Sequence, residues 1–180
     1  VVPTASVFTA ADPVRTTTMT DRQRVLSILE RDARATTAAI ARQTDLSESA
    51  VETAIAELEA DGVIVGYRPV VDDDERETER VRAVVELDVR LDRETGYGDV
   101  ADRIASFPEV AALRLVSGDY DLLLEVEGES MSEVSSFVSE KVARLSAVTN
   151  TVSHYVMDTH VEAGVVFDEP DDDDRRSVTP

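Results

Sequence analysis

The feature that most constrains this chain is a change of hydrophobic period across a short charged stretch, Asp72 to Arg80 (DDDERETER), which contains no apolar side chain. Before it, apolar residues recur at helical spacing: Val25, Leu26, Ile28 and Leu29, then Ile40, then Val51, Ile55 and Leu58. After it, Ala83, Val85, Leu87, Val89 and Leu91 alternate with Val84, Glu86, Asp88 and Arg90, the period of a strand with one buried face. One element cannot satisfy both periods. The chain is therefore predicted to be α+β, with a helical domain over 19–71, an acidic linker over 72–80 and a mixed domain over 81–158.

In the helical part, Thr20-x-x-Gln23 has the form of a capping box and opens the first helix. A shorter helix is predicted from Thr37 to Gln43, with Thr36 as N-cap and Ile40 turned inward. Ser47 caps a third, and Gly62 stands where a left-handed residue ends it. Three short helices so spaced make a helix-turn-helix. The following VIVGYRPVV is predicted to be a strand pair, a wing, with Gly66 at its turn and Pro69 confining it to an edge.

The second part predicts a strand over Ala83–Leu91, then a helix from about Gly98 to Phe107 that Pro108 stops. AALRLVSGDYDLLLEVEG then makes a hairpin around Ser117-Gly118-Asp119-Tyr120, with Leu113, Leu115, Leu122, Leu124 and Val126 facing inward. A helix over Ser130–Leu145 and a strand over Val148–Met157 complete a β-α-β-β-α-β order, the ferredoxin-like pattern. Two helices cover only one face of four strands, so the other face is expected to pair with a second copy. Residues 1–18 show no period and are expected to be a disordered extension, with Met19 as the natural start; 159–180 are expected to be an acidic, disordered tail.

The formal net charge is -20, which ordinarily argues against nucleic acid as a partner. Yet Lys141 is the only lysine among 18 basic residues, the rest being arginine, and aspartate is spread along the whole chain. That combination is expected of a halophile's cytoplasmic protein, where salt shortens the Debye length to about 3 Å and self-repulsion is tolerated. Acidity is then a property of the solvent, not of the partner. With no cysteine, disulfides and thiolate chemistry are excluded, and no apolar run approaches the ~18 residues that span a bilayer.

Particular phrases carry a resemblance: "DAR" at Asp32–Arg34, "AIA" before the turn, Leu46-Ser47, "LEADGVIVGYRPVVD" and "GDYDLLLEV". Together they resemble the Lrp/AsnC family of transcription regulators over about residues 20–158. The resemblance implies a winged helix-turn-helix that binds promoter DNA, followed by a ferredoxin-like (RAM-type) domain that binds a small effector such as an amino acid. It also implies a homodimer, in many members assembled into octamers. By that analogy Gly118, Asp119, Tyr120 and Asp121 are the effector candidates: glycine lets amides approach a carboxylate, and an aspartate receives an ammonium group. The same residues are also what a plain hairpin turn needs.

For DNA, the start of the third helix points to Ser47, Glu48, Ser49, Glu52 and Thr53 as base readers. Family members usually place arginine on this helix after the position of Val51; here stand Glu52, Thr53, Ala54 and Ala56. Glutamate accepts from cytosine N4, so base contacts survive that departure. Arg34, Arg42 and Arg68, with Thr37 at a helix N-terminus, are the candidates for phosphate, against the plainer reading that they are exposed polar residues. Two other functions stand as alternatives: an oligomerising, ligand-sensing adaptor that has lost DNA, which the acidic third helix favours, and an enzyme resembling siroheme decarboxylases. The histidine- and aromatic-rich phrases of those enzymes have no counterpart here. His154, Asp158 and His160 form at most a weak metal-ligand set, so neither cofactor nor metal is expected.

Overall fold

The computed structural model describes residues 19–92 and 96–167. The chain divides into two compact units, Val1–Pro69 and Val70–Pro180. The expected N-terminal extension and the end of the expected tail, 168–180, lie outside the described residues.

The first unit holds α1 (Asp21–Leu29), α2 (Thr37–Thr44) and α3 (Glu48–Ala60). Each starts at an N-cap that the sequence marks. Thr20 and Gln23 form a reciprocal capping box, Thr36 accepts from the Ala39 amide, and Ser47 accepts from the Ala50 amide. Val25, Ile40 and Val51, one from each helix, are fully buried at the centre of a small core with Ile28, Leu29 and Ala54. The turn between α2 and α3 pivots on Asp45, a non-glycine residue at φ 57°, a conformation that aspartate tolerates better than most. Thr44 is buried, with its hydroxyl donating to the Ile40 carbonyl at 2.8 Å, while Arg24 donates to the Thr44 carbonyl at 2.9 Å and ties α1 to the end of α2. Gly62, at φ 69°, ends α3 as expected.

The wing is where expectation and structure part. From Ile64 to Val71 no strand forms: the segment joins no ladder, Val65 is 93 % exposed, and Tyr67 reaches back to Glu59 at 2.9 Å. A two-stranded ribbon with nothing packed on it is marginal, and Pro69 removes one of its few donors.

The second unit contains β1 (Val81–Val89), α4 (Tyr97–Ala105), β2 (Val110–Leu115), β3 (Leu122–Gly128), α5 (Met131–Phe137) and β4 (Val148–Tyr155). Its sheet order is β2-β3-β1-β4 and every pairing is antiparallel. Ala83, Val85 and Leu87 of β1, with Leu122, Leu124 and Val126 of β3, form the floor on which Val100, Ile104, Val134 and Phe137 of the helices pack. Leu115 departs from its expected inward place. It pairs with Leu122 but is the last residue of the edge strand and stays 60 % exposed. The helix expected to run to Leu145 leaves α-geometry after Phe137 and continues as a π-helical turn over Val138–Val142. That turn buries Val138 and Val142 and sets Lys141 5.5 Å from the ring centroids of both Phe107 and Phe137, with its ammonium donating to Glu109 at 2.6 Å.

The linker and the start of the tail are both tied to β1. The acidic linker is not free: Arg82 on β1 meets Asp73 at 3.3 Å and Glu127 at 3.5 Å. The tail expected from residue 159 begins instead with a ribbon, β5 (Val161–Glu162) and β6 (Val165–Val166), turned at Ala163 and Gly164, both at positive φ. Glu162 is held by Arg82 at 3.0 Å. A salt bridge between residues 80 apart has no local sequence signature.

Burial makes the centre of the sheet the costliest place to lose volume. Leu124→Ala is expected to destabilise the protein by about 2–5 kcal/mol, whereas Leu91→Ala, outside the sheet, should cost under ~0.5 kcal/mol. Urea denaturation of both variants measures the contrast; equal losses would contradict this location of the core.

Candidate functional site

Two groups of side chains carry chemistry, one in each unit. In the first, Arg42, Asp45, Ser47 and Glu48 border a shallow groove between α2 and α3, with Ala38 and Ala41 at its base. Of the residues singled out from sequence, Arg42, Ser47 and Glu48 are thus brought together. Ser49, Glu52 and Thr53 follow along the exposed side of α3. Thr37, the first residue of α2, is half-buried, and Arg34 lies in the turn before it; Arg68 is exposed on the unpaired arm.

The hydrogen bonds divide these residues sharply. Ser47 is occupied as the cap and lies 3.1 Å from the Ser49 hydroxyl, while Thr53 donates to the Ser49 carbonyl at 2.9 Å. The arginines divide too. Arg22 pairs with Asp61 at 2.6 Å, Arg24 with Asp21, and Arg31 donates to the Ser27 carbonyl at 3.0 Å. The side chains of Arg34, Arg42 and Arg68 have no hydrogen bond or ion pair among the described residues. Among the described residues the second unit has unpaired guanidinium groups too, at Arg90, Arg103 and Arg144; what sets Arg42 and Arg34 apart is their place, at the groove between α2 and α3 and in the turn before α2.

In the second unit the turn between β2 and β3 holds Gly118, Asp119, Tyr120 and Asp121 together, as sequence adjacency requires. Gly118 has φ 155°, open to glycine and strained for other residues. None of the amides from Ser117 to Tyr120 has a hydrogen-bond partner among the described residues, and Asp119 is exposed and unpaired. Asp121 differs: one carboxylate oxygen accepts from the Val89 amide at 2.7 Å and the other from the Tyr97 hydroxyl at 2.8 Å. Its own amide donates to the Leu87 carbonyl. The carboxylate thus latches the turn to the end of β1 and the start of α4. Tyr97, 24 residues away, could not be matched to Asp121 from sequence because only the sheet brings them together.

On the bare sheet face His154 lies 3.3 Å from Glu86, and in the segment after β4 His160 lies 3.7 Å from Asp158. No group of three or more metal-ligating side chains gathers among the described residues. No helix among them is long and apolar enough to cross a membrane.

Comparison with known proteins adds to this geometry. The family model for the Lrp/AsnC ligand binding domain matches residues 82–166, and that for winged helix-turn-helix DNA-binding matches residues 22–65. The HTH-type transcriptional regulator YugG of Bacillus subtilis is 36% identical over 157 residues, covering 87% of this chain and 95% of its own. The chain belongs to the Lrp/AsnC family. LrpA1 of Halobacterium salinarum, another HTH-type transcriptional regulator, is 34% identical over 132 residues, which is 73% of this chain and 90% of the relative. A Neisseria meningitidis transcriptional regulator solved as its L-Met complex shares the fold, with a TM-score of 0.66 at 20% identity over 81% of this chain and 94% of that one. As an Lrp/AsnC protein, the chain is a transcriptional regulator whose first unit carries the DNA-binding domain and whose second carries the ligand-binding domain.

The latch has a pH signature. The Val89 amide first, and then the Tyr97 hydroxyl, hold the Asp121 carboxyl below the usual carboxylate range. A depressed folded-state pKa stabilises the fold above the unfolded value and ceases to do so as pH falls through the folded value. The hydrogen bond to Asp121 raises Tyr97, so that group's contribution is lost instead at high pH, as pH rises through its elevated ionisation. Asp121→Asn is therefore expected to lower stability at neutral pH and to lose that deficit in acid; denaturation midpoints measured from pH 7 to pH 2 test this. A deficit constant with pH would remove the charge from the explanation.

Proposed function

We propose that this regulator binds promoter DNA as a homodimer, with α3 in the major groove, and that a small effector bearing carboxylate and ammonium groups binds at the β2–β3 turn of the second unit. The observation that carries the DNA part is the set of free arginines. Arg34, Arg42 and Arg68 are placed to take phosphates, helped by Thr37 at the N-terminus of α2, where amides and the helix dipole favour an anion. Ser47, Glu48, Ser49, Glu52 and Thr53 form the surface offered to base edges.

For the effector, four unpaired amides beside Gly118 suit a carboxylate, and Asp119, with no internal partner, suits an ammonium group. Asp121 acts in this reading by holding the turn, and Tyr120 by bordering it. An amino acid is the ligand class that satisfies both ends. Val84, Leu123 and Val152 on the uncovered sheet face, the last 41 % exposed, support pairing of two copies there, with octamers as a higher assembly. A dimer implies paired half-sites on the DNA, one helical turn or a multiple of it apart.

We further infer a cytoplasm of high salt as the setting. The single lysine, the dispersed aspartates and the net charge of -20 support it, since screening there makes such a surface tolerable. The acidic face of α3 is what favours the second reading, an adaptor that senses ligand without touching DNA.

Fluorescence anisotropy on duplex DNA from upstream of its own gene, against scrambled DNA in a KCl series, separates the two readings. Specific binding is expected, with a salt slope that falls in magnitude by roughly 0.9 for each phosphate-contacting arginine removed per bound protomer in Arg34→Ala, Arg42→Ala and Arg68→Ala. A folded dimer with no preference between the duplexes would favour the adaptor. Isothermal titration with amino acids tests the other site: Asp119→Ala should abolish binding that the wild type shows, and unchanged affinity would place the effector elsewhere.

A further inference from the structure

The outward side of α3 is built from small residues. Ser49, Thr53, Ala56 and Ala60 follow one another at helical spacing and all are exposed, so the helix backbone can approach the floor of a groove closely. Beside this stripe lie four carboxylates, whose surroundings differ. Glu57 is 3.8 Å from Arg22, and Glu59 accepts from the Tyr67 hydroxyl at 2.9 Å. Glu48 stands in the first turn, where the helix dipole favours a negative charge. Glu52 has none of these. It is exposed, lies one turn further on, and has no cation or donor among the described residues.

Of the neighbouring hydroxyls, only one keeps a free proton. Thr53 has committed its proton to the Ser49 carbonyl, and Ser47 and Ser49 share one hydrogen bond between them. No arginine or lysine occurs on α3 at all. This surface therefore presents mainly hydrogen-bond acceptors and methyl groups, with one serine hydroxyl as its donor.

Resting on the DNA-binding reading above, we infer that Glu52, seconded by Glu48, determines operator specificity by accepting a hydrogen bond from the N4 amino group of cytosine in the major groove. Cytosine fits better than adenine because its major-groove edge offers the amino donor without an adjacent N7 acceptor, which would repel the second carboxylate oxygen. Guanine, with O6 and N7 both acceptors, is rejected at the same position. The methyl groups of Ala56 and Thr53 then fall where thymine methyls are met by apolar contact. Affinity for phosphate comes from Arg34, Arg42 and Arg68, outside α3, so specificity and attraction reside on different elements.

The test is selection of bound duplexes from a randomised pool by the full chain, for the wild type, Glu52→Gln and Glu48→Gln, followed by anisotropy on the enriched sequences. The wild type should enrich a symmetric motif with a fixed cytosine in each half-site. Glu52→Gln should lose that cytosine and admit adenine, because glutamine pairs with adenine N6 and N7, and should bind the wild-type motif about tenfold more weakly. Its salt slope should not change, since no phosphate contact is removed. A motif identical in wild type and both variants would overturn the inference while leaving DNA binding intact. Failure of the wild type to enrich any motif would overturn the DNA-binding reading and this inference with it.

Discussion

The second unit depends on one strand. β1 is hydrogen-bonded on both edges, to β3 and to β4, and its Ala83, Val85 and Leu87 are wholly buried under the helices. A strand in that position has its register determined from both sides, because slipping by one residue would carry Arg82, Val84 and Glu86 into the core. Everything functional in this unit is referred to it. The β2–β3 turn is fastened to its end through the Val89 amide and the Leu87 carbonyl, and the linker and the C-terminal ribbon are fastened to its beginning through Arg82. One rigid element thus aligns the features at both ends of the sheet.

Charge is organised around the same economy. Several arginines in the described residues are held by neighbouring carboxylates: Arg22 by Asp61, Arg80 by Glu127, Arg82 by Asp73, Glu127 and Glu162, Arg114 by Glu125. The pairs reach water on at least one side or are only part-buried, and the exposed ones such as Arg22–Asp61 are each worth little in stability, ~0–1 kcal/mol. Their value here is in marking what is left over. Arg34, Arg42 and Arg68 are free in the first unit, as Arg90, Arg103 and Arg144 are in the second, and Glu52 is free on a helix whose other acidic residues each have a stabilising surrounding.

Helix boundaries were legible because their determinants are local. Thr20, Thr36 and Ser47 sit within three residues of the amides they cap, and the alternation from Ala83 to Val89 reports burial directly. Leu115, the wing and the π-helical turn were not legible, for different reasons. Leu115 has the right parity but lies at the sheet's corner; the wing has β-forming residues, but of them only Ile64 packs on the helical core; and the π-helical turn answers to the space around Phe107, Phe137 and Lys141, which no heptad pattern describes. The candidate site shows the same division. Its members could be named from motif and spacing, yet which of them still have free hydrogen-bonding groups depended on partners elsewhere.

The sequence by itself determined the two hydrophobic periods, the caps, the β-α-β-β-α-β order and the family phrases, since each is set by residues a few positions apart. Only the tertiary structure decided that Asp121 is a latch while Asp119 is open, that Arg82 gathers Asp73, Glu127 and Glu162, and that Glu52 is left without a partner. The physical reason is the same in each case. A carboxylate's chemistry depends on the donors within about 3 Å of it, and those donors arrive from strands and helices that are neighbours only after the chain has folded.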